Sequence, residues 1–279
     1  MGSPDSIKEF EAGSRGWWSK RYIIDYVTCF ALFQVMGICY YIVSPHVMEI
    51  PGEQTNPTVT YSYKSSTVPS VSLFLISGLI PILVFILLNV PRFLRARKLA
   101  PQHAESAKDL RRRSFHDIHN AILGLAQSLS IMFCVIMLFK FFAGRNRPNY
   151  YSLIEHGGRI EEARQSFPSG HSAFAFAGLS YLSLWMAGKL RAFSPASPWG
   201  GRVWVPLLCL APAFGAGFVA ISRTRDYWHN FSDIISGSVI GIFCAVVSYF
   251  SLYPSLLSER AGIPKFRVAN PSSKGFLPL

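Results

Sequence analysis

The chain has 279 residues, of which 50% are hydrophobic and only 15% are charged, and its mean hydropathy is +0.28. A soluble domain carries about 25% charged residues, so this composition argues against a cytosolic enzyme, a disordered protein and a fibrous repeat. It favours a polytopic membrane protein. The net charge of +12 does not by itself indicate nucleic-acid binding, because the positions of the charges matter more than their sum.

Six apolar stretches predict membrane-spanning helices, since each approaches the roughly 20 residues that cross a bilayer. They cover about 22–43, 70–90, 118–139, 172–188, 203–221 and 233–253. The sequence therefore predicts an all-α bundle of six transmembrane helices over 21–255, with polar tails at 1–20 and 256–279.

Two features inside these stretches bear on helix packing. Pro81, Pro206 and Pro212 lie within them, and neighbouring helices can satisfy the backbone groups that a proline frees. The segment GSVIG at 237–241 has the spacing of two small residues that allows close helix contact. Close packing of the sixth helix against a neighbour is one interpretation of this spacing, and glycines that simply face lipid are the alternative.

The 27 basic residues are distributed unevenly over the predicted loops and tails. The face that includes both termini carries 19 of them, and the opposite face carries eight. The positive-inside rule therefore predicts that both termini are cytoplasmic. Seven of the eight residues on the other face lie in just two loops. Because they oppose the rule, we interpret them as a candidate anion-binding site on the lumenal or extracellular side.

The first candidate segment follows the third stretch. Lys140 and Arg147 are seven residues apart, which is two helical turns, so their side chains point in about the same direction. An ammonium and a guanidinium together suit a phosphate group. Basic residues at a membrane interface often simply extend towards water, so this pair alone is a weak signal.

The second segment, Phe167 to His171, directly precedes the fourth stretch. Gly170 lets the backbone approach a ligand, and the first N–H groups of the following helix favour an anion. Ser169 adds a hydroxyl donor. His171 can gain or lose a proton near neutral pH. A serine helix cap beside an interfacial histidine accounts for the same residues without a ligand.

The third segment lies between the fifth and sixth stretches. His229 and Asp233 are four residues apart and would face each other on a helix. A carboxylate bonded to one imidazole nitrogen fixes the tautomer and leaves the other nitrogen free to attack. Arg223, preceded by Ser222, adds a third cation. A helix-capping polar pair is the alternative interpretation of His229 and Asp233.

The three segments are far more specific together than singly, because the six predicted spans place them on one side of the membrane. They supply an anion clamp, a nucleophile and a proton donor, which are the parts of a phosphoryl-transfer site. The sequence shows no carboxylate cluster for a metal. We therefore expect a reaction without metal or other cofactor, since lysine and arginine can neutralise the phosphoryl oxygens.

These segments carry three motifs, K-x6-R-P, P-S-G-H and S-R-x5-H-x3-D. The chain resembles the type 2 phosphatidic acid phosphatase superfamily over about 70–255, with a three-motif core at about 118–253. It is most similar to the fungal diacylglycerol pyrophosphate and lipid phosphate phosphatases. The residues that match are Lys140, Arg147, Pro148, Pro168, Ser169, Gly170, His171, Ser222, Arg223, His229 and Asp233. Relatives often carry a second histidine where Asn230 stands.

The resemblance implies a metal-independent phosphatase that acts on phosphatidate, diacylglycerol pyrophosphate or a related membrane lipid phosphate. It implies that His229 attacks phosphorus to form a phosphohistidine, that Asp233 orients His229, and that His171 is the general acid. It implies that the phosphoryl oxygens are held by Lys140, Arg147, Ser169, Gly170, Ser222 and Arg223. The expected partners are the lipid substrate and the bilayer, not nucleic acid, in an endomembrane or the plasma membrane.

Two other functions stay open. A phosphotransferase could use the same site to pass the group to a lipid alcohol instead of water. A non-catalytic lipid-binding protein would keep the scaffold, but the presence of His171 and His229 argues against it. A channel or transporter is disfavoured because the predicted spans hold almost no charge apart from Asp25. The position of the 149–166 loop between two motifs suggests a role in headgroup selectivity.

Overall fold

The computed structural model describes residues 20–52 and 55–265, apart from the side chains of residues 20 and 21. The predicted polar tail at 1–20 lies outside the described residues except for the backbone of Lys20. The last part of the predicted C-terminal tail, 266–279, lies outside them as well.

The part of the chain that the structure describes is helical and contains no strand, as the all-α prediction requires. In chain order the helices are α1 (Lys20–Ile42), α2 (Ser70–Phe74), α3 (Ile80–Leu87), α4 (Val90–Leu99), α5 (Ala104–Ala143), α6 (Tyr150–Glu155), α7 (Ile160–Ala163), α8 (Gly170–Lys189), α9 (Trp204–Arg225) and α10 (Phe231–Leu252). A π-helical turn at Leu75–Leu79 joins α2 to α3.

Five helical stretches among the described residues are long and apolar enough to cross a membrane: Tyr22–Ile42, Ser70–Leu99, Ala104–Ala143, Trp204–Arg225 and Phe231–Leu252. The fourth predicted span, α8, is not one of them. It has 20 residues, rich in alanine, glycine and serine, and 13 of them are buried. It packs against α5, α9 and α10 in the centre of the bundle. A helix shielded by its neighbours does not need an apolar surface towards lipid, which explains its low hydropathy.

Two predicted spans have different bounds in the structure. The third was expected at about 118–139, but α5 begins at Ala104 and has 40 residues. Its first part carries the basic run Arg111 to Arg113, so a polar helical extension precedes the apolar span. The second was expected at about 70–90, but the helical stretch continues to Leu99.

Two of the prolines inside spans, Pro81 and Pro212, are accommodated in different ways. A π-helical turn directly precedes α3, whose second residue is Pro81. Pro212 interrupts the hydrogen bonding of α9, and the N–H group of Ala213 donates to Ser183 Oγ of α8 at 3.2 Å. In the second case a neighbouring helix supplies the missing partner.

Close packing of α10 on α8 confirms the predicted small-residue contact. A Cβ atom on Gly241 would lie 2.4 Å from the carbonyl oxygen of Ala173, and one on Gly237 would lie 2.4 Å from that of Ser169. No side chain other than the hydrogen of glycine fits these gaps. The contact brings the N-terminal ends of α8 and α10 together, and these ends carry the second and third sequence motifs.

The chain after α10 folds back onto the bundle. The Lys265 N–H group donates to the Leu252 carbonyl oxygen at 2.8 Å, and the backbone of Gly262 lies against that of Gly188 at the end of α8. Residues 256–265 therefore pack with the helices, beyond the boundary expected at 255.

Replacing Gly241 by leucine tests the α8–α10 contact. We expect a loss of about 1–3 kcal/mol of stability, because overpacking forces the backbones apart. Gly217→Leu is the matched control, since no atom lies within 4 Å of a Cβ placed there. Thermal melting of the two purified variants measures the difference. Equal melting temperatures would show that the contact is not required.

Candidate active site

A cavity of about 340 Å³, called here the histidine cavity, brings residues from the predicted motifs together. Its lining comes from α1, α2, α5, α7, α8 and the loops that follow α5, follow α7 and precede α10. The polar lining residues are Tyr40, Ser70, Lys140, Arg147, Glu162, Gln165, His171 and His229, with Gly170 beside them. The apolar lining residues are Leu73, Met132, Phe133, Ile136, Met137 and Phe174. One cavity thus combines cations and imidazoles with an apolar groove.

Both predicted cations of the first motif line the cavity and are buried. Lys140 Nζ donates to the carbonyl oxygen of Gln165. Arg147 Nε donates to the carbonyl oxygen of Glu162 at 2.9 Å, and its guanidinium lies 4.8 Å from the ring centre of Trp228. The carbonyl group that accepts from Lys140 is neutral, so the charge of the ammonium is available to an anion.

Arg147 has a weak counterion in Glu162, whose Oε1 lies 3.7 Å from Nη2. Burial lowers the pKa of Arg147 from its usual value, the charge of Arg223 adds to this, and Glu162 opposes it. An arginine remains protonated at neutral pH even so. The 149–166 loop thus contributes Glu162 and Gln165 to the cavity.

The second motif opens α8. His171 lines the cavity, and its Nε2 atom is buried with no hydrogen-bond partner among the described residues. That atom is therefore available to a ligand. Ser169 differs from the prediction, because it is fully buried and is not among the lining residues. Its hydroxyl accepts hydrogen bonds from the Ser172 N–H group at 3.4 Å and the Ser172 hydroxyl at 3.0 Å, as a helix cap does.

The third motif places His229 beside Asp233, with Nδ1 3.8 Å from Oδ2. This separation is longer than a hydrogen bond. The hydroxyl of Ser166 bridges the pair, since it donates to Asp233 Oδ2 at 2.6 Å and lies 3.5 Å from His229 Nδ1. Arg145 Nη1 donates to the other carboxylate oxygen at 2.8 Å. Ser166 and Arg145 were not singled out from the sequence.

The sequence offers only weak signals for these two residues. Arg145 lies inside the K-x6-R-P stretch, where it counted as one basic residue among several. Ser166 directly precedes Phe167, one residue before the P-S-G-H motif. Its contact with Asp233 joins positions 67 residues apart, which no local spacing predicts.

Asp233 also has a structural role. Asn230 is the N-cap of α10, and the Asn230 N–H group donates to Asp233 Oδ2 at 2.9 Å in a capping box. The helix-capping and the histidine-orienting interpretations therefore apply to the same carboxylate. Asparagine is well suited to position 230, because it is among the preferred N-cap residues.

Ser222 and Arg223 are buried and are not among the lining residues of the cavity. Arg223 Nη2 donates to Asp226 Oδ2 at 2.7 Å, and Nη1 donates to Ser66 Oγ at 3.0 Å. The Ser222 hydroxyl donates to the Val219 carbonyl oxygen at 2.7 Å. Of the nine predicted site residues the structure brings five into the lining, and Ser169, Ser222, Arg223 and Asp233 lie outside it.

The environment of His229 favours its neutral form. Burial lowers its pKa from 6.5 to about 3, and the charges of Arg147 and Lys140 act in the same direction against the effect of Asp233. At neutral pH the imidazole therefore carries no charge and retains a lone pair. A neutral imidazole is the form that can attack an electrophile.

The fold and the cavity together define a class of protein: an α-helical membrane protein whose cavity is lined by two histidines and two cations. The chain belongs to the PAP2 superfamily, whose model matches residues 121–255. This confirms the resemblance drawn from the three motifs. No solved structure matches the chain.

Three curated relatives illustrate the similarity. The chain is 34% identical over 263 residues to a PA-phosphatase related-family protein of Dictyostelium discoideum, a match that covers 92% of this chain and 89% of the relative. It is 31% identical over 230 residues to lipid phosphate phosphatase 1 of Arabidopsis thaliana, covering 76% and 63% of the two chains. It is 39% identical over 98 residues to diacylglycerol pyrophosphate phosphatase 1 of Saccharomyces cerevisiae, covering 35% and 32%.

Acid should destabilise the protein through His229. Its pKa of about 3 lies below the ordinary 6.5, so between these pH values the unfolded chain binds more protons than the folded one. The free energy of unfolding then falls as pH falls, by about 2 kcal/mol for this group between pH 6.5 and 5.

Thermal melting at both pH values checks this expectation. We expect His229→Asn to lose less stability than the wild type over that interval. His103→Asn, at an exposed helix-cap position, is the matched surface substitution for comparison. A wild type and a His229→Asn variant with equal pH dependence would contradict the account.

Proposed function

We propose that this chain is a lipid phosphate phosphatase. It would hydrolyse the phosphomonoester or pyrophosphate group of a membrane lipid such as phosphatidate or diacylglycerol pyrophosphate, without a metal. The observation that carries the proposal is the union, in the histidine cavity, of two histidines and two cations with an apolar groove. The names of the relatives point to the same substrates.

The apolar part of the cavity suits a lipid tail. Met132 and Ile136 lie on α5 before Lys140, so the groove extends about 12 Å along that helix from the charged end. Phe174 adds an aromatic surface from α8. A soluble phosphate ester would gain nothing from this groove, whereas an acyl chain would bury apolar area there.

The proposed reaction uses two displacements at phosphorus. Lys140 and Arg147 hold the phosphoryl oxygens while the neutral imidazole of His229 attacks, and a P–N bond forms as the P–O bond to the leaving group breaks. His171 gives its proton to the leaving oxygen. Water then attacks the phosphohistidine, His171 takes a proton from it, and the P–N bond breaks to release inorganic phosphate.

Asp233 and its neighbours would stabilise His229 as it becomes positively charged. The Ser166 hydroxyl links the carboxylate to Nδ1, and Arg145 fixes the other carboxylate oxygen. Asp233 therefore acts on His229 mainly through Ser166 in this arrangement. That makes Ser166 a positioning residue.

The remaining predicted ligands are part of the proposal as well. Gly170 would offer its backbone at the start of α8, with Ser169 beside it. Arg223 would reach a phosphoryl oxygen by giving up its bond to Ser66, and Ser222 lies next to it in the chain. The pairing of Arg223 with Asp226 would keep the guanidinium in place meanwhile.

We further propose that α8 is the sixth membrane span, packed between α5, α9 and α10. Its 20 residues give a length of about 30 Å, enough to cross a bilayer. With six spans both termini are cytoplasmic, and the histidine cavity opens to the lumenal or extracellular side. The unequal distribution of basic residues supports this orientation.

Phosphate release from the purified protein in the presence of EDTA tests the activity. Phosphatidate and diacylglycerol pyrophosphate are compared as substrates, with His229→Ala as the inactive variant and the exposed His156→Ala as the matched control. We expect His229→Ala to lose at least about a thousandfold in kcat, and His156→Ala to keep wild-type turnover.

Two outcomes would overturn the proposal. Turnover that survives in His229→Ala would exclude the phosphohistidine route. Transfer of the phosphoryl group to an added lipid alcohol, with no release of inorganic phosphate, would identify a phosphotransferase instead.

The role of Ser166 has its own test. Ser166→Ala removes the bridge between Asp233 and His229 but no group that contacts substrate. We expect kcat to fall about tenfold or more with KM almost unchanged, since a hydrogen bond to a charged group contributes about 1.5–3 kcal/mol. Ser152→Ala is the control. Ser152 lies in the same 149–166 segment as Ser166, but its hydroxyl donates to the Tyr61 carbonyl oxygen and it does not line the histidine cavity. A change confined to KM would contradict the positioning role.

A further inference from the structure

A second polar cleft, of about 250 Å³ and called here the distal cleft, lies at the other end of the bundle. Asp117 in this cleft and Lys140 in the histidine cavity are 23 residues apart on α5, which separates the two sites by about 34 Å. The distal cleft lies between α4, α5, α8 and the segment after α10. Its charged lining residues are Arg92, Arg113, Asp117 and Lys189, with Gly262 beside them.

The carboxylate of Asp117 is already fully used. It is buried, and its Oδ1 atom accepts from Lys189 Nζ and from the Tyr253 hydroxyl at 3.4 Å. Its Oδ2 atom accepts from Asn89 Nδ2 at 3.2 Å and from Arg92 Nη1 at 3.1 Å. Four donors fill about the four acceptor positions of a carboxylate. Asp117 therefore has no capacity to neutralise a further cation.

Positive charge remains in the cleft after this pairing. Arg92, Arg113 and Lys189 face one carboxylate among the described residues that line it. Arg113 also pairs with Asp109, at 2.7 Å on the neighbouring turn. Both hydrogen bonds of Arg92 use Nη1, and its side chain is 46% exposed, so donors of its guanidinium remain for a ligand.

The surroundings add to the positive charge. The exposed parts of α4 and the start of α5 carry six more basic residues against the acids Glu105 and Asp109. The six are Arg95, Arg97, Lys98, Lys108, Arg111 and Arg112. The cleft lies where these two helices leave the apolar span, which is the depth of lipid headgroups in a bilayer.

We propose that the distal cleft binds the phosphate group of an anionic phospholipid or of a soluble phosphate compound, with Arg92 as its principal donor. A guanidinium fork binds phosphate through two hydrogen bonds, and the excess of basic residues in and around the cleft favours an anion there. The site is separate from the histidine cavity and does not depend on the function proposed for that cavity.

Equilibrium binding to the full-length protein in detergent tests the site at fixed ionic strength. The probe is a short-chain fluorescent phosphatidylglycerol, whose phosphodiester is not a phosphomonoester substrate. Arg92→Gln should weaken binding at least fivefold. Arg97→Gln removes the same charge from an exposed position on the same helix and should change binding less than twofold.

Paired variants separate a specific site from diffuse attraction and from the histidine cavity. Equal losses in Arg92→Gln and Arg97→Gln would mean diffuse attraction to a basic surface, and no loss in either would mean no site; both results overturn the proposal. Lys140→Gln should leave the Arg92-dependent binding unchanged. Loss of probe binding in Lys140→Gln would instead assign the probe to the histidine cavity and overturn the proposal. If Arg92→Gln does not fold, the affinities of Arg92→Lys and Arg97→Lys for the probe are compared instead. Only Arg92→Lys is expected to bind more weakly, because the guanidinium fork is needed only at position 92.

Inorganic phosphate identifies the source of the ligand. Competition by millimolar phosphate that is lost in Arg92→Gln would assign the cleft to soluble phosphate compounds. Displacement of the probe by unlabelled short-chain phosphatidylglycerol but not by phosphate would assign it to the lipid headgroup. Failure of both competitors to displace the probe would show that the phosphate group is not what binds, and would overturn the proposal.

Discussion

The site depends on one buried carboxylate, that of Asp233. Its side chain accepts hydrogen bonds from Ser166, from Arg145 and from the backbone of Asn230, while its carbonyl oxygen accepts from the Ser169 N–H group at 3.0 Å. A charge removed from water is tolerated only when such partners surround it. The same contacts tie the start of α10 to the start of α8 and to the end of the first motif. The three motifs meet because each one contributes a partner to this residue.

The glycine contact between α8 and α10 makes that arrangement possible. Gly237 and Gly241 let the α10 backbone approach the carbonyl groups of Ser169 and Ala173. A larger side chain at either position would separate the two helix starts. The chemistry of the loops therefore depends on close packing one to three turns below them, where the residues are small and apolar.

Part of the site could be predicted from the sequence because each motif keeps its members close along the chain. Helical periodicity was only an approximate guide, since α5 ends at Ala143, before Arg147, and α10 begins at Phe231, after His229. Contacts between distant loops had no such signal, so Ser166 and Arg145 escaped notice. Ser222 and Arg223 were expected to hold oxygens, but no local pattern indicates that the 45–68 loop binds Arg223 through Ser66.

Much of the fold was also predictable from the sequence, in this case from the length of the apolar stretches. Apolar length identified five of the spans, because lipid-facing helices must be apolar. It also located α8, but hydropathy alone is a poor guide to a helix that other helices surround. The ends of α5 and of the second span were missed, since polar helical extensions beyond the membrane obey different constraints from the spans themselves.

The two ends of the bundle treat buried charge differently, and the difference bears on function. In the distal cleft Lys189 is paired with Asp117, so its charge is balanced within the protein. In the histidine cavity Lys140 donates to a neutral carbonyl group, while Asp233 is occupied by Arg145. A buried cation without a direct ion pair is costly in a low-dielectric surrounding and is stabilised by any anion that enters. Under the proposed function, the phosphate group of the substrate would be that anion. The carbonyl group bonded to Lys140 is neutral, so the charge of Lys140 would contribute directly to substrate affinity.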